Sequence, residues 1–173
     1  MEELQRDSVE DFKNKQKNPL VLVLDNVRSL HNVGSAFRTA DAFAVEKIYL
    51  CGITGTPPNK EIHKTALGAT ESVAWEHVSS TVEAVQALRQ AGYTVWAIEQ
   101  AEGSTSLTDL QITPAGKYAF VFGNEVFGVE DEVIKAANGV LEIPQFGTKH
   151  SLNVSVTVGV VVWDAVSKLL ASQ

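Results

Sequence analysis

The sequence contains a single cysteine, Cys51, so no internal disulfide can form. That suits a reducing compartment, and a lone cysteine of this kind reads as a small buried hydrophobe rather than a ligand or nucleophile. Positive charge is scarce too: 14 Lys and Arg stand against 21 Asp and Glu, a formal net charge of −7. This excludes nucleic-acid binding through a general excess of cations and leaves room only for a local basic site. His31, His63, His77, His150 and Cys51 show no spacing such as C-x-x-C or H-x-x-x-H, so no metal is expected. There is no G-x-S-x-G elbow of a serine hydrolase and no G-x-G-x-x-G of a dinucleotide site. The spacing from Gly123 to Gly128 matches a phosphate loop only until Val129-Glu130, where Lys and Ser or Thr are required. No stretch approaches the roughly 18 unbroken apolar residues of a membrane span. The opening MEELQRDSVEDFKNKQK is acidic and polar where a secretory signal needs a basic start and an apolar run. A soluble, unexported, cytoplasmic protein without a membrane partner is expected, and the sequon Asn153-Val154-Ser155 then has no route to glycosylation.

What is present is ordinary for a globular domain: 173 residues, 45% hydrophobic and 20% charged. One domain over 1–173 is expected, with residues 1–19 as a polar N-terminal extension. Leu20 to Leu24 reads as a strand buried on both faces, and a helix follows from His31 to about Ala44, capped by Ser29 or Asn32. Further strands are expected at Lys47–Cys51, Val73–Val78, Tyr93–Ile98, Tyr118–Phe122 and Gly139–Ile143. Helices are expected in the Lys60–Leu67 region, near Thr81–Gln90 with Gly92 as its stop, from about Glu130, and from about Asn153 to Leu170. Glu102–Pro114 reads as polar and turn-rich, and Gly52–Pro58 as a loop. This alternation implies an α/β fold with a mainly parallel sheet covered by helices on both faces. In such sheets the ligand sits beyond the carboxyl ends of the strands, so chemistry is expected in the loops after Leu24, Ile98, Phe122 and Ile143.

Three polar clusters occupy that side. In the first, Arg38 stands one helical turn after Gly34, where an anionic group could approach, although an exposed Arg paired with Asp41 or Glu46 has the same pattern. In the second, Gly123 directly follows a strand and permits close approach of a ligand to backbone, while Glu125 can accept from a hydroxyl or amine or cap the next helix. In the third, Ser151 and Asn153 precede the final helix, where capping alone would explain either. Trp75, Trp96 and Trp163 lie on apolar stretches and read as core.

Taken together, N-x-G-x-x-x-R (Asn32, Gly34, Arg38), F-G-N-E-x-x-G (Phe122 to Gly128) and I-P followed by S-L-N-V-S (Ile143-Pro144, Ser151 to Ser155) resemble the three ordered motifs of the SpoU/TrmH family. These are RNA ribose 2′-O-methyltransferases of the SPOUT class, and the resemblance covers roughly Leu20 to Leu170. It implies a C-terminal deep trefoil knot that holds S-adenosylmethionine largely through backbone groups of Gly123, Ile143 and Leu152 and their neighbours Asn124 and Gly128, with Ile98 and Glu99 as another wall. It also implies a homodimer with a shared active site, in which Arg38 reaches the partner subunit and activates the ribose hydroxyl, oriented by Asn32, Glu125, Ser151 and Asn153. A guanidinium stays protonated, so Arg38 is expected to bind the adjacent phosphate and stabilise negative charge rather than remove a proton. A basic patch of Arg28, His31, Lys60, Lys64, Lys149 and His150 is expected to meet tRNA or rRNA. The rival reading is a non-catalytic RNA-binding protein that uses the knotted fold as a scaffold.

Overall fold

The computed structural model describes residues 5–173. Its elements, in chain order, are α1 (Val9–Asn14), β1 (Asn18–Asp25), α2 (Leu30–Ala42), β2 (Val45–Cys51), α3 (Lys60–Ala66), α4 (Ala69–Ser72) and β3 (Trp75–Val78). Then come α5 (Thr81–Gln90), β4 (Thr94–Ile98), β5 (Thr105–Ser106), β6 (Tyr118–Phe122), α6 (Asp131–Ala136), β7 (Gly139–Glu142) and α7 (Val154–Ala171). The seven strands form one sheet in the order β3-β2-β1-β6-β4-β7-β5, with every strand pair parallel.

Alternation within the strands decides which side chains go to which face. Leu20, Leu22 and Leu24 of β1 join Phe120 and Phe122 of β6 in one core, under α2, α3, α4 and α7. Val21 and Val23 join Ala119 and Val121 in the other, under α5 and α6. The large residues all face the first layer, and each fully buried Leu or Phe there contributes about 1.5–3 kcal/mol of transfer free energy.

The helices start where polar side chains can satisfy free backbone N–H groups. Ser29 caps α2 by accepting from the Asn32 N–H, and Asn59 accepts from Glu61 and Ile62 at the start of α3. Gly34 is buried in α2, and a side chain there would strike the Ile62 carbonyl and Thr65 of α3. Its lack of a side chain therefore serves the packing of α2 on α3 rather than opening a gap beside Arg38.

Several other expectations change. The turn-rich stretch 102–114 contains the two-residue strand β5 and a 3₁₀ turn at Leu107–Asp109. The short helix α4 precedes β3, which is shorter than expected. The segment read as a polar extension takes part in the fold, because α1 sends Phe12 into the first core; residues 1–4 lie outside the described residues.

Helix α7 has the length and apolarity to cross a membrane, with a mean hydropathy of 1.6. Here it lies on the sheet, burying Val158, Val161, Val162, Ala165, Val166 and Leu169. Lys168 is held 2.7 Å from Asp164 and donates to the Leu107 carbonyl. The opposite side of the helix exposes Val156, Val160 and Trp163, so Trp163 is a surface residue at 54% exposure rather than core. Its ring packs 5.8 Å from that of Phe43 at the end of α2.

Candidate active site

A cavity of about 350 Å³ opens beyond the carboxyl ends of β4, β6 and β7. Parallel strands end together, so the loops that follow them converge on one edge of the sheet. The loop after β4 contributes Ile98, Glu99 and Gln100, and the loop after β6 contributes Gly123, Asn124, Glu125 and Gly128. The segment between β7 and α7 contributes Ile143, Gln145, His150, Ser151, Leu152 and Asn153, and the first turn of α7 adds Val154 and Thr157. The walls are apolar, from Phe122, Ile98, Ile143 and Leu152, with a polar rim, and the volume falls at the lower end of the range for small-molecule sites.

The turn at 124–128 is tightly built. Asn124 and Gly128 exchange backbone hydrogen bonds of 2.9 Å each way, and the Asn124 Oδ1 accepts from the N–H groups of Val126 (2.8 Å) and Phe127 (3.0 Å). A Cβ on Gly123 would collide with the backbone of Gly128 and Val129, so only glycine lets the strand end pass under this turn. Gly128 has a φ of +70°, and a Cβ there would meet the Glu99 carboxylate, which accepts from the Val129 N–H at 3.0 Å. Asn153 caps α7, accepting from the Ser155 N–H at 2.8 Å. Capping and cavity lining thus coincide in one residue.

The first cluster does not line the cavity. It is clasped to the second by Glu125, whose carboxylate accepts from the N–H groups of Arg28 (2.9 Å) and Ser29 (3.0 Å) and from the Asn32 side-chain amide (3.0 Å). Partial desolvation pulls the Glu125 pKa up, but the donors from Arg28, Ser29 and Asn32 outweigh it and hold the carboxyl below its ordinary value. A carboxylate occupied in this way is an anchor, not a proton acceptor. Glu130, which the sequence placed near a helix start, precedes α6 and accepts from Asn26.

Asn26, where the first strand stops and the first cluster begins, braces the site. It adopts a left-handed conformation with φ of 54°, its Oδ1 accepts from the Ile53 N–H (3.0 Å), and its carbonyl accepts from the Asn124 amide (2.8 Å). One residue therefore joins the ends of β1, β2 and β6. An asparagine straight after a strand is a signal for such a left-handed turn.

Arg38 is exposed and lines a different groove, between α1 and the α3–α4 region, with Arg6, Lys15, Asp41 and Ala66 among its neighbours. Among the described residues it makes no ion pair with Asp41 or Glu46; Asp41 instead accepts from Ser72, and Glu46 from Tyr93. No residue lines both its groove and the cavity. Of the expected basic patch, His31 and Lys64 each lie 2.9 Å from Glu61, whose pKa the Lys64 and His31 contacts lower. Arg28 and Lys60 are exposed nearby in sequence, and Lys149 sits in the exposed loop beside His150 at the cavity. Cys51 is fully buried, and burial pushes its thiol up to about 12, which removes it as a nucleophile. Among the described residues no group of three or more His, Cys, Asp or Glu side chains is placed to hold a metal.

Comparison with known proteins gives a consistent picture. A family model described as the SpoU rRNA Methylase family matches residues 19–163. The 23S rRNA (guanosine-2'-O-)-methyltransferase RlmB of Vibrio vulnificus is 31% identical over 171 residues, which are 99% of this chain and 68% of that protein. The tRNA (guanosine(18)-2'-O)-methyltransferase of Thermus thermophilus is 30% identical over 94% of this chain and 82% of its own. A crystal structure of an AdoMet-bound rRNA methyltransferase from Sinorhizobium meliloti superposes with a TM-score of 0.79 and 28% identity, covering 87% of this chain and 56% of that one.

Proposed function

The chain belongs to the SpoU rRNA methylase family, and from that premise we propose that it methylates a ribose 2′-hydroxyl of tRNA or rRNA, using S-adenosylmethionine and no metal. The observation that carries the reading is the cavity in which the second and third motifs meet, clasped through Asn32 and Glu125 to the first. Its residues fit the cofactor. Gly123 and Gly128 bring bare backbone to the wall, Ile98, Ile143 and Leu152 supply an apolar slot for a flat base, and Glu99 and Gln100 stand at its edge for hydroxyl or amine groups. S-adenosylmethionine supplies a methyl group on a positively charged sulfur.

The chain's own contribution is positioning and electrostatics. A ribose hydroxyl is a weak nucleophile at neutral pH, so its incipient alkoxide needs stabilisation in line with the methyl carbon. Arg38 is the cation for that task, through the alkoxide and its neighbouring phosphate, while Asn32, Glu125, Ser151 and Asn153 set the local geometry. Arg38 opens onto a different groove from the cavity, and the reading brings the two together in a homodimer in which Arg38 of one subunit meets the partner's cavity. The exposed stripe Val156, Val160 and Trp163 supports this: α7 begins at the cavity, and Trp163 packs on Phe43 of the helix that carries Arg38. A trefoil knot at the C-terminus belongs to the same reading.

The test is transfer of labelled methyl from S-adenosylmethionine to RNA isolated from a strain lacking the gene. Wild-type protein is expected to transfer label, and Arg38→Ala to lose most of the rate while still binding S-adenosylhomocysteine. Cofactor binding by a folded dimer with no transfer to any RNA would favour the scaffold reading.

A further inference from the structure

Four large apolar side chains stand exposed on loops at the carboxyl edge of the sheet. Ile53 follows β2 at 67% exposure, Val126 (68%) and Phe127 (82%) follow β6, and Phe146 (95%) follows β7. Ile53, Val126 and Phe127 are held out on a fixed support. The Ile53 N–H donates to Asn26, the Asn26 carbonyl accepts from Asn124, and Asn124 accepts from the N–H groups of Val126 and Phe127. Phe146 follows Gln145, which lines the cavity, so both phenylalanines stand in segments that form its rim.

This surface differs from the stripe on α7. Cations occur in the same loops: Arg28, exposed, donates its backbone N–H to Glu125, the residue before Val126, and Lys149, also exposed, lies in the loop that carries Phe146. The nearby carboxylates are engaged, Glu125 by three N–H donors and Glu130 by Asn26. Exposed aromatic faces with cations in the same loops are the elements with which a protein holds single-stranded nucleic acid.

We propose that Phe127 and Phe146 are base-stacking residues that hold unpaired RNA bases flanking the nucleotide whose ribose enters the cavity. This rests on the RNA methyltransferase reading and adds to it the side chains that receive the unpaired bases beside the methylated nucleotide. A ribose in a stacked helix cannot enter a concave site without loss of stacking, and an aromatic face at the rim replaces what is lost. In a chain with a net charge of −7, stacking also supplies affinity that phosphate contacts alone would not.

The test uses fluorescein-labelled decauridine, which has little stacking of its own, titrated by anisotropy with the protein saturated with S-adenosylhomocysteine. Phe127→Ala and Phe146→Ala are each expected to weaken binding about tenfold, in keeping with alanine substitution at stacked bases. Phe127→Leu should fail like alanine, and Phe127→Trp should restore binding. Cofactor affinity, measured by calorimetry, should not move in any of them. Alanine variants that bind decauridine as wild type does, full rescue by leucine, or a wild-type preference for a ten-base-pair duplex would each overturn the proposal. Failure of the methyltransferase reading is separately visible: aromatic-dependent decauridine binding with no methyl transfer to any RNA would leave stacking in place and remove the enzyme.

Discussion

Replacement of Glu125 by alanine removes one acceptor from three donors that come from the other end of the clasp. The cost is unequal among them. Arg28 is exposed and Ser29 half-buried, so water can take over their N–H groups, whereas Asn32 is only 9% exposed and its amide is left without its carboxylate. A hydrogen bond to a charged group contributes about 1.5–3 kcal/mol, and the partial exposure of Glu125 puts this one toward the lower end, about 2 kcal/mol. For a chain of this size that corresponds to a fall in Tm of roughly 4–8 °C, at fixed protein concentration. Asn32→Ala should cost a similar amount, and the double variant should cost little more than either, giving a coupling of about 1–2 kcal/mol in a double-mutant cycle. The assay is chemical denaturation of the four proteins, with S-adenosylhomocysteine affinity measured beside it, because the 124–128 turn that Glu125 tethers lines the cavity. A Glu125→Ala variant within 0.5 kcal/mol of wild type, or additive costs in the double variant, would refute the clasp.

Other outcomes follow from the same geometry. The Glu125 carboxyl has a lowered pKa in the folded chain, so its contribution is fully present above the ordinary carboxylate value of about 4.3 and is lost as pH falls through the lowered one. Acid titration of stability should therefore be steeper in wild type than in Glu125→Gln below about pH 4.3, and parallel curves would contradict the assignment. Gly128→Ala should weaken S-adenosylhomocysteine binding at least about tenfold in calorimetry, because its φ of +70° is strained for alanine and its Cβ displaces Glu99. On the proposed homodimer, wild type should sediment as a dimer and Trp163→Asp as a monomer; a variant that remains fully dimeric would place the subunit contact elsewhere. In a mixture of Arg38→Ala with Gly128→Ala, hybrid dimers carry one intact site and should regain methyl transfer, which a site built within one chain would not do.

The strands were legible because burial on both faces leaves unbroken apolar runs. Tyr118–Phe122 is β6 residue for residue, and β1 extends the expected run only to Asn18 and Asp25. Helix α4 was hidden because Leu67 (φ 50°) and Gly68 (φ 90°) break the chain in the left-handed region and restart it, which no periodicity reveals over so short an element. Trp163 was misplaced for a different reason. Helix α7 is apolar on nearly every side, so its composition does not tell which side meets the sheet. The cavity followed from the rule for parallel sheets, but the contact between Asn32 and Glu125 spans 93 positions and has no local signature. Gly34 had the right prominence for another reason, since its neighbour is α3 rather than a ligand.

The most direct measurement is the chemical position of the transferred methyl group. RNA from a strain lacking the gene is incubated with the protein and methyl-labelled S-adenosylmethionine, then hydrolysed in alkali, which cannot cleave next to a 2′-O-methyl ribose. Label in alkali-resistant dinucleotides is the expected result, and label in mononucleotides carrying a methylated base would contradict ribose methylation.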